Sequence, residues 1–285
     1  MDLRLPAVKE RHQQVTYYEA DIRSNAVGDI IARENPDVVV HLAAIVNPGN
    51  LDRQTIYAID VAGTENLLQA CIRGKVKRFV FTSSGAAYGY HADNPEWLTE
   101  SDPLRGNYEF PYSWHKRKAE ELLAAYRNEH PRLEQVIFRV GTIIGKGTRN
   151  QITDLFDRPK LLAIRGSPSP FVFIWDQELV GILVRALEKG PPGIYNVAGD
   201  GALSADELAA ILGKKVERLP AFLVQAVLAI AHPLKLSQYG PEQVRFLRYR
   251  PVLDNRRLKE VFGYTPKYTS RQAFEAFATA RRALV

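Results

Sequence analysis

Cysteine is almost absent. Cys71 is the only one among 285 residues, so the chain can form neither an internal disulfide nor a thiolate zinc site, and a cytoplasmic location is the simplest expectation. The six histidines, His12, His41, His91, His115, His130 and His232, lack the spacing of metal ligands, so no metal is expected. Long apolar runs are missing too. The longest, Ala221 to Ala231, lies between Pro220 and Pro233 and falls well short of the roughly 20 residues of a membrane span. It reads as a buried or surface-docked helix. Met1 to Pro6 has no apolar core of the signal-peptide kind. No internal repeat or low-complexity segment interrupts the chain.

What is present is an ordinary globular composition, 46% hydrophobic and 25% charged, which argues against intrinsic disorder and coiled coil. The formal charge of +6 suits an acidic partner. Much of the excess lies in Arg245, Arg248, Arg250, Arg256 and Arg257, read here as a solvated helix face. No aromatic-rich RNA motif accompanies these arginines, so nucleic acid is not the expected partner.

The first half alternates short β-branched runs with longer segments of helical spacing, the pattern of βαβ units and a parallel sheet. Val15–Glu19, Asp37–Leu42, Arg78–Ser83 and Gln135–Val140 read as strands; Asn25–Asn35, about Arg53–Arg73 and about Tyr112–Glu129 read as helices. The crossovers are expected to be right-handed. Beyond Gly141 the elements shorten into a smaller, mainly helical lobe, with a strand at Gly193–Val197 and a helix announced by the capping-box spacing of Ser204 and Glu207. The expected division is 1–145 for the sheet domain, with 171–200 returning to it, and 146–285 mainly for the lobe.

A doubly wound nucleotide-binding sheet normally opens with a strand, a glycine-rich turn and a helix N-terminus. Here no glycine precedes Gly28. The string Gly141-Thr-Ile-Ile-Gly-Lys-Gly-Thr148 is one residue short of a phosphate loop and has Gly147 where Ser or Thr would hold magnesium, so it reads as a flexible turn.

Tyr112 and Lys116 stand four apart, on one face of the helix expected there. A nearby ammonium favours phenolate, which would make Tyr112 a usable acid and base. Chance alone supplies about 0.6 such spacings in this composition, so context decides. That context is the apolar strand Arg78–Thr82, which runs into Ser83-Ser84-Gly85-Ala86-Ala87-Tyr88-Gly89 at the strand end where parallel sheets bind ligands.

In order along the chain stand Glu19-Ala-Asp21-Ile22-Arg23, Val38-Val-Val-His-Leu-Ala-Ala44, Val61-Ala-Gly-Thr64 with Asn66-Leu67-Leu68, and Phe79-Val-Phe-Thr-Ser-Ser84 with Ala87-Tyr-Gly89. Tyr112 with Lys116, Gly193-Ile-Tyr-Asn-Val-Ala-Gly199, and Phe262-Gly-Tyr264 with Pro266 follow. With these motifs the chain resembles the extended short-chain dehydrogenase/reductase family, the NAD-dependent epimerases and dehydratases, and within it a UDP-glucose 4-epimerase-like subgroup. The resemblance implies an α/β Rossmann-like fold, here without its first β-α unit, and a 4-epimerase that takes a nucleotide sugar through a transient ketone. The implied cofactor is NAD, with NADP left open, and a homodimer is compatible with it.

The resemblance further implies Tyr112 as acid and base, Lys116 on the nicotinamide ribose, and Ser84 on the reacting sugar oxygen. Asp21 and Ile22 would flank the adenine. Leu42, Ala43 and Ala44 would line the cofactor, Thr82 and Ser83 would lie beneath the nicotinamide, and Phe138 with Val140 would close that end. Asp60, a further cofactor candidate, stands where the family usually has asparagine, and Val140 where proline usually follows Arg139. Asn150 and Arg250 are the further substrate candidates. Pro168-Ser-Pro-Phe171 lacks the arginine that many members carry for the diphosphate, a place Arg165 or Arg250 could take. Two alternatives remain open: a dehydrogenase of a steroid-like or other lipid alcohol, to which the apolar 221–231 helix is suited, and a non-catalytic nucleotide- or RNA-binding protein on the same fold. The missing opening unit predicts a truncated reading of a longer protein, or a chain that binds dinucleotide poorly.

Overall fold

The structure is a computed structural model and describes residues 1–47, 49, 51–237 and 240–283. Helix α1 (Ala26–Glu34) leads into strand β1 (Val38–His41). Then come α2 (Arg53–Tyr57), a π-helical turn (Ala58–Ala62), α3 (Gly63–Arg73) and β2 (Arg78–Ser84), followed by α4 (Pro111–Glu129) and β3 (Glu134–Val140). The second half runs β4 (Thr142–Ile144), α5 (Gln151–Asp157), β5 (Lys160–Ile164), β6 (Phe173–Trp175), α6 (Asp176–Glu188) and β7 (Gly193–Val197). It continues through α7 (Ala205–Leu212), β8 (Lys215–Leu219), α8 (Ala221–Ala231), α9 (Gln243–Arg248), α10 (Arg256–Glu260) and α11 (Ser270–Arg282).

Among the described residues the main sheet is parallel throughout, in the order β1-β2-β3-β7. The two-residue period of its strands feeds two cores. Phe79, Phe81 and Ile137 point to one face, against Leu67, Leu68 and Cys71 of α3 and Ala119 and Leu123 of α4. Val80, Val136 and Phe138 point to the other, against Ile182 and Ala186 of α6 and Leu258 and Phe262 around α10. This is the expected α/β architecture, with helices on both faces of a parallel sheet.

Several expectations need correction. Val15–Glu19 is not a strand: only Glu19 makes an isolated parallel bridge, to Asp2. Its β-branched and aromatic residues favour extended backbone, but a strand needs a partner along its length. The 53–73 helix is interrupted by the π-helical turn. The lobe is mainly helical, as expected, and adds two short parallel pairs, β4 with β6 and β5 with β8. The Gly141–Thr148 string splits between β4 and a turn closed by Thr148 N–H to the Gly145 carbonyl at 3.2 Å. Helix α8 is surface-docked, with Val224 as its buried side chain.

Candidate active site

The C-terminal end of β2 passes into a 3₁₀ turn, Gly85–Tyr88, capped by Ser84, whose hydroxyl accepts the Ala86 N–H at 3.1 Å. Helix α4 begins beside this turn with Pro111 in its first turn, where a missing N–H costs nothing. Ser113 ties the two together, donating to the Ala86 carbonyl at 2.6 Å and accepting the Asn107 N–H at 3.1 Å. Gly89, at φ +82, lets the chain leave the turn, and a Cβ there would sit 2.6 Å from the Arg105 carbonyl.

These anchors place Tyr112 and Ser84 together on the wall of one cavity of about 1190 Å³. Ser84 hydrogen-bonds the Tyr112 phenol. The Lys116 ammonium lies 5.8 Å from the Tyr112 ring centre and 4.6 Å from that of Phe81, and donates to the Thr82 carbonyl at 2.7 Å. Burial brings Lys116 down to about 8, opposed by the charges of Asp60 and Glu120. Tyr112 is shifted up, first by burial, with the Ser84 hydrogen bond working downward and Asp60 upward. The lowering expected from Lys116 is therefore not what governs this phenol. Desolvation of the phenolate outweighs an ammonium turned toward a carbonyl.

Asp60, in the π-helical turn, accepts the Ile45 N–H at 2.8 Å and contacts His115 Nδ1 at 3.0 Å, with both side chains buried. It thus joins the loop after β1 to the helix that carries Tyr112. His41 hydrogen-bonds Thr64 at 2.9 Å and is driven by burial to about 3, so it stays neutral. Ser83 faces away from the cavity and donates to Glu120 at 2.5 Å. Glu120 is held by Arg139 at 2.9 Å, and Arg139 also reaches Tyr88 and the Glu100 carbonyl.

The remaining candidates divide between cavity and scaffold. Leu42 and Ala43 are exposed at the end of β1 and Ala44 is half-buried. Asp21 is held low by Arg23, and Asn66 fastens its loop by donating to the carbonyls of Ile22 and Ser24. Ile22 packs over Gly63. Thr82 donates to the His41 carbonyl at 3.2 Å. Val140 lines the cavity, whereas Phe138 is fully buried against Tyr195 and Phe262. Asn150 also lines the cavity, but its amide caps α5, accepting from Ile152 and Thr153 at 2.9 Å.

Arg250 is the informative arrival. Its guanidinium stacks on Phe171 at 3.7 Å and donates to the Ser169 carbonyl at 2.6 Å, so it lies on the Pro168–Phe171 segment itself. It lines the cavity, has no carboxylate partner among the described residues, and leaves Nε buried without a hydrogen bond. Burial lowers it to about 9. Arg165, by contrast, is exposed and outside the cavity wall. The solvated arginine face expected at 245–257 therefore has one inward member, which linear spacing did not separate from its neighbours.

The family model described as "NAD dependent epimerase/dehydratase family" matches residues 4–198. The chain belongs to this family. It is thus an NAD-dependent enzyme of the epimerase/dehydratase kind. An uncharacterised protein of Mycobacterium tuberculosis (strain ATCC 25618 / H37Rv) is 25% identical over 273 residues, 95% of this chain and 73% of that protein. The N-acetyl-alpha-D-glucosaminyl-diphospho-ditrans,octacis-undecaprenol 4-epimerase of Escherichia coli O157:H7 is 33% identical over 120 residues, 42% of this chain and 35% of that enzyme. The UDP-glucose 4-epimerase of Thermotoga maritima, solved with UDP-glucose, shares the fold at a TM-score of 0.74 and 19% identity, over 98% of this chain and 88% of that one.

The residues present fit the nicotinamide end of NAD: an ammonium at a strand end, a phenol beside it, and small residues along the turn. The pyrophosphate end differs. Among the described residues no glycine-rich turn opens a helix, and α1 starts at Ala26 after Ser24-Asn25.

Proposed function

We propose that this enzyme interconverts a sugar held on a diphosphate, of the nucleotide-sugar kind, through a transient ketone, acting as a 4-epimerase in the cytoplasm. The observation that carries the reading is the cavity shared by Ser84, Tyr112 and Arg250. An acid and base group stands at one place on its wall, and at another a cation without a carboxylate partner among the described residues. The Thermotoga and Escherichia relatives, named for sugars on diphosphates, support the same reading.

In this reading Tyr112 takes the proton of the sugar hydroxyl and later returns it. Ser84 holds the same oxygen, and Lys116 supplies positive charge near the phenolate and a donor for a ribose hydroxyl. NAD, when bound, supplies the hydride acceptor and donor. Arg250 faces the diphosphate, where a buried guanidinium without a counter-ion gains most from an anion. Asp60 and His115 position the helix bearing Tyr112 and touch no substrate.

Tyr112→Phe tests the reading. It keeps the ring and should lower turnover at least about a hundredfold while leaving NAD binding intact in a fluorescence titration. Near-normal turnover would exclude Tyr112 as the proton-transfer group. A second reading, oxidation of a lipid alcohol, is favoured by the cavity's apolar walls, which include Ile152, Leu155, Leu161, Leu219, Val224 and Phe246. Stoichiometric NADH release with a sterol, and no interconversion across a panel of UDP- and dTDP-sugars, would establish it instead.

A further inference from the structure

Just past the turn that follows Ser84, Tyr90 closes part of the same cavity wall as Tyr112 and Arg250. It is 9% exposed, and its backbone N–H donates to Asn107 Oδ1 at 2.6 Å. Asn107 gives its own N–H to Ser113, so Tyr90 shares the anchors that set Tyr112 in place. Its ring is held edge-on from two sides, by Phe110 at 4.9 Å, just before α4, and by Phe246 of α9 at 5.5 Å. The Arg250 guanidinium lies 4.9 Å from the same Phe246 ring. Packing on both flanks fixes the direction of the phenol, yet its hydroxyl makes no hydrogen bond among the described residues. A buried tyrosine hydroxyl usually finds a partner, and one left without costs stability. The ring also borders a smaller pocket of about 360 Å³, which neither Tyr112 nor Arg250 lines. Those two nevertheless act on its phenol. Burial pushes it up most, the Tyr112 charge pushes it further, and the Arg250 charge pulls it down. The hydroxyl thus lies within electrostatic reach of both the proton-transfer group and the buried cation.

We propose that Tyr90 is a specificity-determining residue, whose phenol donates a hydrogen bond to a hydroxyl of the sugar ring between the oxygen handled by Tyr112 and the diphosphate held by Arg250. The assignment rests on the reading of the cavity as a sugar-diphosphate site and names what recognises the sugar itself. Tyr90 lacks the serine bond that Tyr112 has, and burial keeps it neutral, so it serves as a donor and not as a second acid and base. A steroid lying there would set hydrocarbon against the hydroxyl and leave it unpaired, whereas a sugar ring carries groups that pair with it.

Tyr90→Phe removes the hydroxyl and keeps the ring between Phe110 and Phe246. Calorimetric titration of the full chain in excess NAD compares UDP-glucose with UDP, and dTDP-glucose with dTDP. For the pair that the wild type binds more tightly, the variant should lose about five- to tenfold in affinity for the sugar nucleotide, the worth of one neutral hydrogen bond, and keep its affinity for the free diphosphate. Unchanged affinity for both overturns the assignment. Equal loss for both overturns it too, because the phenol would then serve the diphosphate. Without ligand the variant should unfold at the wild-type temperature or above it, since no protein partner is lost. A clear drop in melting temperature would mean that the hydroxyl is bonded within the fold, which also overturns the proposal. If the wild type binds none of the four ligands, the sugar-diphosphate reading falls and the assignment with it, whereas a silent Tyr90→Phe in a chain that binds them leaves that reading standing.

Discussion

The sheet half and the lobe bury different things. Behind β2 and β3 the sheet half buries polar side chains in pairs: Glu120 with Arg139, fastened to Ser83 and Tyr88, and Asp60 with His115. The lobe buries rings. Phe156, Phe171, Phe173, Phe274 and Phe277 form one cluster, with Phe171 and Phe173 stacked at 5.8 Å and Phe156 edge-on to Phe274 at 5.0 Å. The difference follows from what each half holds in place. Directional bonds fix strand ends and the start of α4 to within a hydrogen bond's tolerance, while ring packing closes a volume with fewer angular demands.

That contrast is open to direct attack. Arg139→Ala should cost about 3–5 kcal/mol in denaturant unfolding, because Glu120 is left charged and buried without its partner. A loss no larger than that of a surface substitution would remove the obligatory status given to the pair. Phe274→Ala should cost a similar amount, about 3–5 kcal/mol, through the cavity it leaves. This loss should hardly change with pH, and a strong pH dependence would mean that the lobe is not purely ring-packed.

Lys116 sharpens the comparison from the titration side. In the unfolded chain it keeps its proton to the ordinary lysine range, whereas folded it releases it near pH 8. Between pH 8 and 10 the unfolded state therefore binds more protons, and stability gains about 2 kcal/mol from this group as pH rises. Lys116→Met should abolish that gain relative to wild type, and an unchanged pH difference would show that the ammonium is not desolvated. Smallest of all, Asn150→Ala should cost about 1 kcal/mol through loss of the α5 cap. An effect on substrate KM with no effect on stability would return Asn150 to the substrate.

Legibility in the sequence followed the same divide. Strands β1 to β3 and α4 were readable because each carries a local pattern of its own. Tyr112 and Lys116 shared a face for the same local reason. The strand expected at Val15–Glu19 failed because pairing is not a local property. Asn150 looked available because its capping role depends on where α5 begins. The π-helical turn around Asp60 left no periodic trace, and the family's usual asparagine there gave no hint of a bond to His115.

The sequence by itself determined the alternation of strands and helices, the face shared by Tyr112 and Lys116, and the largely apolar character of 221–231, since each depends on residues within a few turns of one another. Only the tertiary structure decided that Arg250 alone among its arginine neighbours turns inward onto Phe171, that burial rather than Lys116 governs the Tyr112 phenol, and that α8 divides between cavity wall and exposed face. These depend on contacts between segments about 80 residues apart or more, and on the water that folding excludes, neither of which a linear pattern records.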